Sequence, residues 1–439
     1  MYNRLGKDKI HMKKAANIEE MLGVFEPVPL VEEEAFEEFY VSTYDARGNN
    51  AVKRMQFALK HSMNKFMKIL FMGHRGSGKS TELSLLKKEI SEQYEVVDYS
   101  IYEETDIENM TYIDLIFSVM SRLVKYVESH KSLKLKEKDI QALYDYWYQE
   151  RVIETIDYDK AEMYAGYDAK LSFLRKIAIA GGGILKTGAE SKTVIRQNME
   201  PKIGYLIQLL DEIINKVNQQ LQGKELLFII GDLDKVNEKV AEDLFISHYQ
   251  VLLSIKTKII YTFPVYMAYN VKFNQIKESA DVCQMLSIIK VRDRDKREYN
   301  TGINTLKEIV YRRADEKLIA EDALRYMILK SGGAIRDLFQ MIRDAAFEAL
   351  VMDRDKICMK DAQRAYTILK SEYERLIRRE EDVQKLKEIY NDSKLLTTDD
   401  TMMSLLSRGL VLEYNGERWC GIHPAIEDFL IEKGELSVG

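Results

Sequence analysis

The residues best placed to do chemistry lie in Gly73-His74-Arg75-Gly76-Ser77-Gly78-Lys79-Ser80-Thr81. This stretch fits G-x-x-x-x-G-K-[ST] at every defined position. Glycines at these spacings let backbone N–H groups close around a triphosphate, whose charge also faces the N-terminus of the helix that follows. Lys79 is positioned in sequence to reach β- and γ-phosphates, and the Ser80 hydroxyl to hold Mg²⁺. A nucleotide such as ATP, with Mg²⁺, is the cofactor this pattern calls for.

Such chemistry needs acids as well. Glu225-Leu226-Leu227-Phe228-Ile229-Ile230-Gly231-Asp232-Leu233-Asp234 is an apolar run ending in carboxylates. In open α/β sheets the chemistry sits beyond the carboxyl ends of strands. One acid there must support Mg²⁺ and another must polarise the attacking water, which makes Asp232 and Asp234 the catalytic candidates and Asp232 a metal candidate. Thr262 lies near the end of a third apolar run, Lys258 to Pro264. It can touch the γ-phosphate or the attacking water, or satisfy a turn. Arg47 reads first as a solvated surface arginine, with a nucleotide-binding residue near the base as the alternative. Arg336, in the first turn after Ser331-Gly332-Gly333, can reach a nucleotide from a lid or make a surface salt bridge.

The elements that must position these residues follow a rhythm. Lys68 to Met72 reads as a buried strand, Ser80 to about Ser91 as a helix, Glu95 to Ile101 as a strand, and Tyr112 to Val127 as a helix. Alternating strand and helix predicts a parallel sheet with right-handed crossovers. From about 130 to 200 the rhythm breaks. A lysine-rich segment is followed by the aromatics Tyr144, Tyr146, Trp147, Tyr148, Tyr158, Tyr164 and Tyr167, and then by Gly181-Gly182-Gly183. Basic residues among aromatics can bind single-stranded nucleic acid, but the mixed spacing beside Glu150, Glu154 and Asp157 favours packing and solvated faces. An amphipathic helix from Met199 to Leu221 restores the rhythm, and Ser287 to Val291 reads as the fifth strand. Helices occupy 303 to about 375. The end of the chain carries short helices and two alternating strands around Asn415-Gly416, the strongest short hairpin signal.

The bulk numbers set limits. With 439 residues there is room for two or three domains, and 46% hydrophobic with 31% charged residues describes an ordinary charge-rich globular chain. A net charge of −6 argues against wholesale coating of nucleic acid. Three widely separated cysteines, Cys283, Cys358 and Cys420, offer neither metal spacing nor a disulfide framework. The N-terminus lacks the apolar core of a signal peptide, and the longest apolar run, Ile177 to Leu185, is too short to span a bilayer. A cytoplasmic protein is expected.

Taken together these motifs resemble the AAA+ and signal-transduction (STAND) ATPases, particularly the bacterial branch related to origin-recognition ATPases. The likeness runs from about Phe36 onward. It rests on Gly73 to Leu83, the carboxylate strand through Asp234-Lys235, Tyr261 to Pro264, Gly332 to Arg336 and Leu412 to Trp419. It implies an α/β fold with a parallel five-stranded P-loop sheet, a helical insertion, a helical lid and a winged-helix-like tail. The expected domains are an N-terminal arm (1–35), which its charged residues make an exposed arm with a solvated acidic turn; and, within the resemblance, a nucleotide domain (36–298) with its insertion at about 130–200, the lid (299–378) and the tail (379–439). It also implies Lys79 and Ser80 as phosphate and Mg²⁺ residues, Thr262 as a first sensor and Arg336 as a lid sensor.

Two departures bear on turnover. The related strand usually ends in two adjacent acids, where this chain has Gly231 and then Asp232. The segment from Tyr269 to Leu286 has no arginine to act as a trans-acting finger, leaving Arg292 and Arg294 as substitutes. The resemblance therefore implies a nucleotide-gated switch more than a ring motor, with slow or impaired hydrolysis. Related ATPases often accompany effector enzymes in bacterial defence systems, so a protein partner is expected and a homo-oligomer allowed. The alternatives are an origin-recognition-like DNA-binding ATPase, which the acidic balance disfavours, and a nucleotide-bound scaffold without turnover.

Overall fold

The computed structural model describes residues 13–130, 132–136, 138, 142, 196, 197, 199–394, 397–414 and 418–437. Most of the expected insertion, with its aromatic cluster and glycine break, lies outside the described residues, as does the Asn415-Gly416 turn. The chain forms two compact units. One comprises Lys53–Met72 and Leu86–Gln284; the other comprises Met1–Val52, Gly73–Leu85 and Met285–Gly439.

The first unit is built on the sheet. Its strands are β1 (Lys68–Gly73), β2 (Tyr94–Ser100), β3 (Glu225–Gly231), β4 (Lys258–Pro264) and β5 (Val282–Leu286), in the order β2-β3-β4-β1-β5. β2 and β3 pair in parallel from Tyr94 opposite Glu225 to Ser100 opposite Gly231. β3 and β4 pair in parallel from Leu227 opposite Lys258 to Ile230 opposite Tyr261. Every residue of β1 and β4 is buried, which is why these strands read as unbroken apolar runs: both faces of a parallel sheet are covered. The helix Tyr112–Ser129 contributes to that cover. It is opened by Thr111, whose N–H donates to Asp114 Oδ2 at 2.7 Å in a capping box. The strand feeding the glycine loop thus lies between β4 and β5, in the α/β architecture with a five-stranded sheet that the sequence predicts.

The fifth strand is not where the sequence places it. Ser287 to Lys290 is irregular, although Ile288 and Ile289 are fully buried. Its backbone groups go to a buried side chain, the edge of β6 and a short helix rather than to a ladder of this sheet. The Ser287 carbonyl accepts from Arg47, Ile288 N–H donates to the Glu413 carbonyl at 3.5 Å, and Lys290 N–H to the Ala46 carbonyl at 3.5 Å. The segment also presses on Gly333, where a Cβ would sit 1.8 Å from the Ile289 carbonyl oxygen. Only glycine permits that approach.

The second unit holds the glycine loop, the N-terminal segment, four helices (Asn300–Arg313, Glu321–Lys330, Ile335–Val351 and Met359–Glu374) and the C-terminal elements. Over residues 15–41 the N-terminal segment is not the exposed arm expected. Ile18, Met21, Val24, Phe25 and Leu30 are buried in the core of the four helices. Phe25 meets Phe339 edge to face at 5.3 Å, and Arg343 donates to the Leu22 carbonyl at 3.1 Å. Ile18, Met21 and Val24 are spaced to share one helix face, and Asn17 caps that helix through Glu20 N–H at 3.0 Å. The acidic run does stay at the surface, in the first turn of Glu33–Phe39, where negative charge suits the helix dipole. The end of the chain forms the helices Glu380–Asn391, Asp400–Ser407 and Pro424–Glu432 around an antiparallel hairpin of β6 (Val411–Tyr414) and β7 (Trp419–Ile422).

Candidate functional site

The glycine loop connects β1 to the helix Lys79–Ile90. Gly76 and Gly78 have φ of +78° and +95°, a left-handed conformation that turns successive N–H groups to one side and that a side chain would strain. Lys79 Nζ donates to the Gly73 carbonyl at 2.7 Å and to the His74 carbonyl at 2.8 Å. Two of the ammonium's three donors are thus turned back into the loop, which sets the direction of the side chain. Ser80 is exposed, and its hydroxyl makes no hydrogen bond among the described residues. Ser77 Oγ is buried and has no partner there either. A left-handed cradle, an aimed ammonium and an available hydroxyl fit a phosphate chain with Mg²⁺. Arg75 is exposed, and Thr81 Oγ1 accepts from Leu30 N–H at 3.4 Å.

Arg47 overturns its reading as a solvated arginine: it is 1% exposed and braces this loop. One guanidinium nitrogen donates to the Ser77 carbonyl at 2.6 Å, another to the Ser287 carbonyl, and Nε to Thr43 Oγ1 at 2.7 Å. The Thr43 hydroxyl in turn donates to Glu82 Oε1 at 3.3 Å, and Tyr40 OH to Glu82 Oε2 at 3.4 Å. Burial brings the Arg47 pKa down to about 10, against the pull of Glu82. Burial also raises that of Glu82, opposed chiefly by Arg47. Sequence reasoning gave Glu82 no role. Its signal was a carboxylate on the inner face of the helix, beside Leu83 and Leu86.

Arg336 opens the helix Ile335–Val351 against the loop. Its N–H donates to the Gly76 carbonyl at 3.4 Å, and a Cβ on Gly76 would lie 2.7 Å from Arg336 Cβ. Among the described residues no carboxylate pairs with its guanidinium. His74 is 3% exposed, and its Nε2 accepts from the N–H of Glu413 in β6 at 2.8 Å. That bond places the ring proton on Nδ1. Burial first, then Lys79, brings the imidazole pKa down to about 3.

In the sheet unit Asp232 directly follows β3 with a left-handed φ of +66°. Its Oδ1 pairs with Lys235 Nζ at 2.5 Å, and its Oδ2 accepts from Ser100 Oγ. Asp234 is buried in the turn that follows. Thr262, near the end of β4, does satisfy that turn: its hydroxyl donates to the Ile230 carbonyl at 3.0 Å and accepts from Leu233 N–H at 2.9 Å. The structure thus gathers the glycine loop, Arg47 and Arg336 in one unit, and Asp232, Asp234 and Thr262 in the other. No helix among the described residues is long and apolar enough to cross a membrane.

No protein-family model matches the sequence, and no curated protein matches it either. Solved structures do share distant likenesses. The ORC2 protein of Aeropyrum pernix is 13% identical, covers 93% of this chain and 95% of its own, and has a TM-score of 0.42. The Walker-type ATPase PABY2304 of Pyrococcus abyssi is 13% identical over 93% of this chain and 99% of its own, at 0.41. Cdc6p of Pyrobaculum aerophilum is 11% identical over 94% and 98%, at 0.39. Likenesses this remote say nothing of activity, so a function must be argued from the chain's own residues.

Proposed function

We propose that the chain is an ATP-binding regulatory ATPase that acts as a nucleotide-gated switch with slow hydrolysis. The observation that carries this reading is the glycine loop: Gly76 and Gly78 left-handed, Lys79 aimed by two loop carbonyls, and the Arg336 side chain against Gly76 with no carboxylate partner among the described residues. Lys79 would hold the β- and γ-phosphates and Ser80 the Mg²⁺, with Asp232 supporting the metal or the attacking water and Asp234 assisting. Thr262 would act through the turn it ties to β4. Bound Mg²⁺–ATP supplies a cleavable phosphoanhydride and a γ-phosphate charge that the loop and the Arg336 helix both face. The four helices then serve as the lid and the C-terminal unit as a winged-helix-like reporter. A protein partner, such as the effector of a cytoplasmic bacterial defence assembly, would read their arrangement.

A second reading, a nucleotide-bound scaffold without turnover, draws support from Asp232, both of whose oxygens are engaged within its own unit. Calorimetric titration with Mg²⁺–ATP is expected to show binding that Lys79→Ala abolishes; equal binding by both proteins would sink the proposal. Phosphate release separates the two readings. Slow turnover lost in Asp232→Ala and raised in Gly231→Asp marks a switch, and none in any variant marks a scaffold. Stimulation by duplex DNA, with salt-dependent affinity, would instead point to a DNA-gripping ATPase.

A further inference from the structure

We propose that His74 is a positioning residue that couples phosphate binding at the glycine loop to docking of the C-terminal hairpin, each favouring the other. The proposal rests on the nucleotide-binding reading above and concerns the regulation of that site.

His74 is bonded in two directions. Its ring accepts from the Glu413 N–H at 2.8 Å, and its carbonyl accepts from Lys79 Nζ at 2.8 Å. On the hairpin side, Glu413 faces Cys420 in the β6–β7 ladder. Its other edge turns to this unit: the Glu413 carbonyl accepts from Ile288 N–H at 3.5 Å, and its N–H meets the imidazole. The ring nitrogen therefore stands where a neighbouring strand would present a carbonyl, satisfying an edge donor that is otherwise buried. Only a neutral imidazole can accept this bond, and burial beside Lys79 keeps His74 neutral.

The docked hairpin is fixed by more than this bond. Tyr414 stacks on Trp419 at 4.3 Å and its hydroxyl donates to the Gly332 carbonyl at 2.8 Å, in the turn that leads to Arg336. Ile288, Ala334, Leu412, Tyr414 and Trp419 form one buried cluster beneath it. While the hairpin is docked, the His74 ring is held, the peptide carrying its carbonyl is held with it, and Lys79 keeps its direction. Undocking frees the ring and removes one restraint on the lysine. A phosphate that fixes Lys79 restricts His74 from the other side and so favours the docked hairpin. Thermodynamic linkage makes the two effects equal.

The test measures affinity for the non-hydrolysable Mg²⁺–AMP-PNP by calorimetry, together with hydrogen exchange of Val411–Ile422 with and without it. His74→Ala removes the acceptor. His74→Gln restores one, since a glutamine amide oxygen lies as many bonds from Cα as Nε2 does. Loss of one such bond is expected to weaken binding about fivefold in His74→Ala, or about 1 kcal/mol at 1.4 kcal/mol per tenfold, with His74→Gln recovering most of it. In wild type the nucleotide should slow exchange in the hairpin, and in His74→Ala it should not. Glu413→Pro, which deletes the N–H, should match His74→Ala, whereas Glu413→Gln, which keeps it, should match wild type. If Glu413→Pro does not fold, the two His74 variants still decide the matter. Wild-type affinity in His74→Ala, tighter binding in it, or hairpin exchange indifferent to nucleotide would overturn the coupling while leaving nucleotide binding intact. Failure of wild type to bind AMP-PNP would overturn both.

Discussion

Replacing Arg47 by methionine keeps most of the aliphatic volume and removes the guanidinium that braces the loop. Three acceptors lose their donor: the Ser77 and Ser287 carbonyls and Thr43 Oγ1. Each buried acceptor left without a partner costs about 1–3 kcal/mol, so at the low end the loss is about 3 kcal/mol. The cost of breaking a buried charge pair by removing one partner, about 3–5 kcal/mol, gives the same scale, because Glu82 loses the cation that opposes its desolvation. Urea unfolding followed by circular dichroism measures this directly. Glu82 should behave as Arg47's partner, so Glu82→Gln should be milder on the Arg47→Met background than alone, with a coupling of about 1–3 kcal/mol. Arg47→Lys should recover less than half the loss, since one ammonium on a flexible stem cannot reproduce a fork spanning three acceptors. Release of the Ser77 peptide should also weaken Mg²⁺–AMP-PNP binding by about tenfold, or 1.4 kcal/mol. The reasoning fails if Arg47→Met unfolds within about 1 kcal/mol of wild type and binds nucleotide equally well, for the guanidinium would then be replaceable by water.

Two further outcomes follow from single contacts. The pKa of His74 falls from 6.5 in the unfolded chain to about 3 in the fold, so between those values the unfolded chain holds a proton that the native state lacks. The stabilisation is complete above pH 6.5 and is lost as pH falls toward 3, with a slope approaching about 1.4 kcal/mol per unit. His74→Gln should lack that slope in urea titrations from pH 6.5 to 5. Because Glu82, with its raised pKa, contributes the opposite sign in both proteins, the difference between them isolates His74, and parallel pH curves would contradict the assignment. Thr262→Val keeps the shape of the side chain but strands the buried Leu233 N–H. It should cost about 1–3 kcal/mol and speed exchange of that amide, and unchanged exchange at Leu233 would show that the hydroxyl does not hold the turn.

How legible these features were depended on what constrains them. The glycine loop could be read because its left-handed turn and the helix that follows fix residue types at fixed spacings, and β1, β3 and β4 because a strand covered on both faces must be apolar throughout. Ser287 to Val291 has the same composition without being a strand. Burial alone makes a run apolar, and only the destinations of its backbone groups separate a strand from a packed loop. The N-terminal segment carried a helical signal in Ile18, Met21 and Val24, outweighed by the charged residues around it, whose side chains point to solvent while the apolar face is buried. Arg47 was hidden for a deeper reason. A lone arginine reads as surface, and the carbonyls that justify its burial come from positions 30 and 240 residues away. Long-range acceptors leave no local pattern.

On the proposed reading, the step from binding to turnover turns on Gly231 and Asp232. The carboxylate of Asp232 is not poised in isolation. It sits on a left-handed residue, pairs with Lys235 at 2.5 Å and accepts from Ser100. To serve a metal or a water it must share or surrender those partners, and a lysine that neutralises the acid also lowers its pull on a cation. The missing neighbour is not imposed by the backbone. A Cβ on Gly231 would meet the Tyr99 carbonyl oxygen at 3.4 Å, an ordinary contact, and its φ lies outside the left-handed region. The backbone therefore admits a Cβ at Gly231, while the glycine loop of the other unit is held by its arginine brace and its histidine contact. On the proposed reading, a glycine loop built to grip phosphate and an acidic turn with few groups to spare for cleavage suit a protein whose output is the arrangement it holds while nucleotide is bound.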